Sequence, residues 1–222
     1  MMTSPAQRKV LLAGASGLVG SQILRELLAN TAVAEVHVLG RRSITSQHPK
    51  LHVHIVDFSR LPVLPAVDEV YLALGATIKV AGSQTAFRAV DYAANLAVAK
   101  AALVAGAKRI GLVSALGANA DSRVFYNRVK GELEVALQSL APDALVIARP
   151  SLLLGDRDSL HQPLRIGEKL SIPIAKLLAP VLPGPYRPVT AQSVARALLR
   201  AVPGASGVVV LASDALARIG HE

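Results

Sequence analysis

The chain has no cysteine and no tryptophan. Without cysteine there is no disulfide framework and no thiolate-ligated metal site. That usage is the one expected of a chain kept in a reducing, cytoplasmic setting. Aromatics are scarce, with three Phe and four Tyr among 222 residues, so a core must be assembled from Ala, Val and Leu. Base stacking would have little to work with. No uncharged apolar run is long enough to span a bilayer, so no transmembrane segment is expected. Arg8-Lys9 and the apolar residues after them mimic a secretory signal, but those apolar residues are claimed by the glycine motif described next, which argues against export. Also missing is any block of Lys or Arg, although the formal charge is +9. Scattered cations describe a solvated basic surface with a share left for anionic ligands, and no nucleic-acid partner is expected.

What is abundant is strand and helix punctuated by glycine. Val10 to Ala13 is an apolar run of strand length that ends at Gly14, and Gly17 and Gly20 follow at three-residue intervals. A helical pattern from Leu18 to Leu28 starts at once. This is the strand–turn–helix opening of a dinucleotide-binding βαβ unit. Gly14 permits the sharp turn, Gly17 lets a diphosphate approach the backbone, and Gly20 lets the helix pack closely on the strand. The N–H groups of Leu18, Val19 and Gly20, with the helix dipole behind them, then face the phosphates, and the Ser16 hydroxyl can add a donor.

Further strands are expected at Glu35–Leu39, Leu51–Val56, Val70–Leu74, Arg109–Val113, Leu145–Ala148 and Gly207–Leu211, with helices at Thr85–Ala105, Arg123–Leu140 and, capped by Thr190, on to Ala201. Thr77 to Gln84 is expected to be a loop. The implied fold is α/β: a Rossmann-type, doubly wound, mostly parallel sheet with helices on both faces. The length suits one domain over residues 1–222, with a small C-terminal cap region at about 151–188.

Another absence bears on the cofactor. Where an NAD-selective fold carries a carboxylate for the ribose 2′-hydroxyl, this chain has Gly40-Arg41-Arg42. A guanidinium there suits a 2′-phosphate, so NADP(H) is expected over NAD(H), with Arg41 the first candidate and Arg42 beside it. Asp57 and Phe58, after the third strand, are candidates for the adenine, against the plainer alternative of a cap with one buried aromatic. Leu74 and Gly75, after the fourth strand, let backbone approach the cofactor's ribose and diphosphate. His52 and His54 share a strand face without carboxylate or cysteine support and are expected to be surface histidines, with no metal.

The chemistry falls at Ser114, at the end of the fifth strand, and at Tyr126 and Lys130 on the helix that follows. Four residues apart, Tyr126 and Lys130 lie on one helical face. Lys130 can draw Tyr126 toward phenolate and reach the nicotinamide ribose. Tyr126 can protonate a carbonyl oxygen, and Ser114 can orient it. The other three tyrosines, Tyr71, Tyr92 and Tyr186, have Gly75, Leu96 and Thr190 four residues on.

GASGLVG, the serine of LVSALGA and YNRVK together resemble a short-chain dehydrogenase/reductase. The LGRR after the second strand and the run VSALGANADSRVFYNRVKGELE are most similar to an atypical branch, the proteins like the Tat-interacting protein. The resemblance spans about Lys9 to Pro150 and the late helix and strand. It implies an NADP(H)-binding Rossmann fold in which Ser114, Tyr126 and Lys130 match the family's catalytic serine, tyrosine and lysine, and Pro150 shapes the loop passing the nicotinamide. One departure stands out: where relatives carry an active-site asparagine this chain has Asp91, with Asn95 one turn later. The branch also includes members described mainly as cofactor-binding regulators.

Beyond Pro150 the pattern changes. Ser151 to Pro188 is rich in Pro and Leu, with Arg157, Arg165, Lys169, Lys176 and Arg187 against Asp156, Asp158 and Glu168. This segment is expected to cover a small-molecule substrate that is partly apolar or anionic, with a dimer or membrane-surface contact as the alternative. Monomer and homodimer both stay open. The expected activity is hydride transfer between NADP(H) and a small carbonyl or alcohol. The alternatives are a non-catalytic NADP(H)-binding regulator and a sugar-nucleotide epimerase or dehydratase, which would need more than about 40 residues to enclose a second nucleotide.

Overall fold

A computed structural model describes residues 7–154 and 183–221. Its centre is a seven-stranded sheet: β1 (Arg8–Ala13), β2 (Val33–Gly40), β3 (Leu51–Ile55), β4 (Glu69–Leu72), β5 (Arg109–Val113), β6 (Ala144–Arg149) and a last strand, β9 (Gly207–Ala212). The spatial order is β3-β2-β1-β4-β5-β6-β9, and every pairing is parallel. A two-residue parallel pair lies apart from it, β7 (Leu153–Leu154) against β8 (Val189–Thr190).

Alternation along the strands builds two cores. Val10, Leu12, Val36, Val38, Val146 and Ala148 face one side and pack under α1 (Leu18–Ala29), α6 (Ala191–Ala201) and α7 (Ser213–His221). Leu11, Ala13, Val70, Leu72, Leu145 and Ile147 face the other and pack under α4 (Asn95–Val104) and α5 (Phe125–Gln138). A sheet buried on both faces needs apolar residues at successive positions, which is why its strands read as unbroken runs. Thr190 caps α6 as expected, its hydroxyl accepting from Ser193 N at 3.0 Å.

The chain leaves β1 for α1 on one face and β4 for α4 on the other. The carboxyl ends of β1 and β4 therefore flank a topological switch point, the crevice in which such sheets bind ligands.

Three expectations need correction. The fourth strand ends at Leu72, so Leu74 belongs to the turn after it. Thr77–Gln84 is not all loop, because Thr77 caps a one-turn helix, α2 (Ile78–Ala81). Thr85–Ala105 is not one uniform helix: a short α3 (Gln84–Arg88) passes into a π-helical stretch, Ala89–Ala94, before α4 begins. Helix propensity in an Ala-rich run is blind to that wider turn. The Asn95 side chain sits in it, donating to Asp91 O at 3.1 Å and to Leu74 O, also at 3.1 Å. Residues 155–182, most of the expected substrate-covering region with all of its charged residues except Arg187, lie outside the described residues.

Candidate functional site

The glycine turn has little freedom. Gly14 has φ +95°, and a Cβ on it would lie 2.4 Å from Ala73 O. A Cβ on Gly20 would lie 2.0 Å from Gly14 O, so the first helix presses directly on the turn. Gly17 caps α1 with extended backbone, donating its N–H to Gly14 O at 2.9 Å. No side chain caps α1, and its first turn carries no acidic residue. Leu18, Val19 and Gly20 thus present a helix N-terminus suited to a diphosphate. Ser16 is exposed at the same turn. The residues present fit a dinucleotide at the switch point.

Arg41 and Arg42 follow β2 directly, both exposed, at the same carboxyl edge as Gly14. Asp57 is exposed and closes a local turn, accepting from Ser59 N at 2.9 Å and Ser59 Oγ at 2.8 Å, and these bonds hold its carboxyl below the ordinary value. Phe58 is half-buried against the α4 core and lines a groove of about 510 Å³ with Leu61, Pro62 and Val104. Pro150 is buried, its carbonyl accepting from Leu116 N at 2.8 Å. His37, buried on the same sheet face as His52 and His54, contacts His54 at 3.1 Å and stacks on His52 with 4.9 Å between ring centroids. The sequence reading missed this third histidine.

The densest chemistry lies along one stripe of α5. Tyr126, Lys130 and Glu134 are four apart and point toward the carboxyl edge of β4, β5 and β6. Tyr126 is half-buried, its ring 5.5 Å from that of Phe87. Lys130 is 4% exposed, and its Nζ lies 2.7 Å from Asp91 Oδ1. Burial alone would lower the Lys130 pKa, but the charge of Asp91, helped by Tyr126 and Glu134, more than offsets it, and the net shift is upward. Asp91 is wholly buried, and its other oxygen accepts from Ala76 N at 2.8 Å. Gly75 faces this pair: a Cβ there would lie 3.5 Å from Asp91 Oδ1 and 3.9 Å from Lys130 Nζ.

Ser114 has a partner that the sequence reading did not foresee. Its hydroxyl donates to Glu134 Oε1 at 2.5 Å. Glu134 is buried and gripped by Arg149, whose Nε donates to Oε1 at 3.1 Å while Nη2 pairs with Oε2. A serine whose proton is given to a carboxylate faces any other group as an acceptor. The signal for Glu134 was present, since it continues the i, i+4 series of Tyr126 and Lys130. Nothing in the sequence pointed to Arg149. Among the described residues no group of three or more His, Asp or Glu could hold a metal ion, and no helix is long and apolar enough to cross a membrane.

The profile of the NAD dependent epimerase/dehydratase family matches residues 10–163. Protein HTATIP2 of Rattus norvegicus is 31% identical over 224 residues, 97% of this chain and 90% of that protein. This bears out the resemblance drawn from the glycine turn and the YNRVK helix. Protein FMP52-1, mitochondrial, of Scheffersomyces stipitis is 37% identical over 156 residues, 66% of this chain and 67% of that protein. Of solved structures, MoeE5 in complex with UDP-glucose and NAD superposes with a TM-score of 0.68 at 18% identity, covering 91% of this chain and 75% of that one. The cytoplasmic placement is overturned by these relatives, because several fungal ones carry the word mitochondrial in their names. Its premise was weak in physical terms: a chain without cysteine carries no thiol to record the redox state of its compartment.

Proposed function

Because the chain belongs to the NAD dependent epimerase/dehydratase family, a family of oxidoreductase type with a Rossmann-like fold, we propose that it is an NADP(H)-preferring oxidoreductase acting on a small alcohol or carbonyl. The observation that carries this reading is the α5 stripe. A buried lysine, held charged at the switch-point edge, stands one turn from a half-buried tyrosine and faces the open Gly75 turn.

In this reading the first turn of α1 and Ser16 hold the diphosphate, and Arg41 with Arg42 holds the 2′-phosphate. Asp57 and Phe58 border the adenine, while Leu74, Gly75, Lys130 and Pro150 border the nicotinamide ribose. When bound, the cofactor supplies or accepts a hydride. Tyr126 exchanges the proton at the substrate oxygen, with Lys130 one helical turn away on the same face. Ser114, whose hydroxyl donates to Glu134, is left to accept a hydrogen bond from a neighbouring hydroxyl of the substrate.

The test is a titration of NADPH against NADH by nicotinamide fluorescence, with wild type and Arg41→Ala. A strong NADPH preference that the substitution removes supports the cofactor assignment. Binding of neither cofactor overturns the reading.

A second reading, a cofactor-responsive regulator without turnover, is favoured by Ser114. A hydroxyl committed to Glu134 gives no donor to a carbonyl oxygen. It predicts tight cofactor binding with no turnover across a carbonyl panel. An epimerase using a second nucleotide has less support, since this chain spans 75% of the sugar-nucleotide-binding neighbour.

A further inference from the structure

Asp91 is wholly buried, so its charge has to be met inside the protein. One carboxylate oxygen is fixed by the backbone N–H of Ala76. The other has one partner among the described residues, the Lys130 ammonium at 2.7 Å. Both groups lie in a region of low polarisability, where a net unit charge is felt over several ångströms. The charged and titratable groups acting on Lys130 are Asp91 on the π-helical stretch and Tyr126 and Glu134 on its own helix. Glu134 is already neutralised by Arg149. The net charge beside Gly75 is therefore set by Asp91 and Lys130 together, and it is near zero.

We propose that Asp91 keeps the site from discriminating against the oxidised form of the nicotinamide cofactor, by cancelling the charge of Lys130. This rests on the cofactor reading above. The oxidised nicotinamide ring carries a positive charge and the reduced ring none. An unpaired ammonium at Lys130 would repel only the oxidised ring. With Asp91 ionised the two forms are accepted on similar terms, so the site can release and rebind both.

The experiment is calorimetric titration of NADP⁺ and NADPH into wild type, Asp91→Asn and Asp91→Glu at neutral pH, reading the ratio of the two Kd values. Asp91→Asn is expected to weaken NADP⁺ about tenfold relative to NADPH, the size of one buried unit charge left unbalanced. Asp91→Glu, which keeps the charge, is expected to hold the ratio near that of wild type. If Asp91→Asn does not fold, Asp91→Ser provides the same neutral test. Equal weakening of both forms in the neutral variants, with the ratio unchanged, overturns the proposal and leaves Asp91 a structural residue while the cofactor reading stands. Failure of wild type to bind either form removes the cofactor reading, and this inference with it.

Discussion

Two buried carboxylates sit at opposite ends of β4 and its neighbours, and they are treated differently. At the amino end Glu69, fully buried, receives the Arg8 guanidinium on both oxygens at 2.8 and 2.9 Å and the Tyr71 hydroxyl at 3.1 Å. Burial, and then the Glu69 charge, push the Tyr71 phenol well above its ordinary value. The acid is saturated by groups of fixed direction. At the carboxyl end Asp91 has one backbone N–H and one ammonium, and the ammonium is the group a cofactor would share. Glu69 has both oxygens on one guanidinium nitrogen of Arg8, with the Tyr71 hydroxyl on the second oxygen as well, whereas the Lys130 ammonium is a rotatable point charge that can serve two partners. The difference separates a network that holds the sheet from one left with capacity for a ligand.

The comparison predicts that the largest effect on stability comes from the amino end. Glu69→Ala removes the partner of the half-buried Arg8 and of the buried Tyr71 hydroxyl, and is expected to cost about 3 kcal/mol in chemical denaturation. The protein that remains folded should bind NADPH unchanged, and a loss of affinity would break the contrast. At the other end Tyr126→Phe is expected to lower turnover by about 10²-fold or more, with melting and cofactor affinity spared. A variant that melts early would make Tyr126 a packing residue of the Phe87 contact instead. A change at neither end gives the scale for an ordinary local bond: Thr190→Ala removes the α6 cap and should cost about 1 kcal/mol by the same denaturation assay.

The smallest effect concerns His37 and His54, a polar cluster of intermediate kind. Burial holds both below their ordinary value of 6.5, and the neighbouring histidines add to this. Between that value and the lower folded ones, the unfolded chain binds protons that the folded chain refuses. Stability is therefore full above about pH 6.5 and declines as pH falls below it. Urea midpoints taken on either side of that pH should show a slope that His37→Gln flattens.

What the sequence made legible follows from how locally each feature is encoded. The glycine turn is a contiguous string whose spacing reflects contacts as close as Gly20 on Gly14, so it could be read outright. Tyr126 and Lys130 were legible because helical period converts a four-residue spacing into a shared face. Glu134 continues that period, but its meaning depends on Ser114, just past β5, and on Arg149, at the end of β6. Asp91 was seen as a departure without a partner, since its pairing with Lys130 spans 39 residues and runs through a π-helical turn that an Ala-rich run does not announce. Charge partners across elements are tertiary facts, and single-sequence periodicity carries none of them.

The short β7–β8 pair has an architectural consequence. Leu153 and Leu154 lie beside Val189 and Thr190, Ser151 Oγ reaches Arg187 O at 2.6 Å, and Ser151 N is held by Ser213 Oγ at 2.8 Å. The chain thus departs and returns at one stapled point, next to the Pro150 turn. Strand pairing and two serine hydrogen bonds thereby tie the Pro150 turn to β8 and to the start of α7, at the carboxyl edge of the sheet.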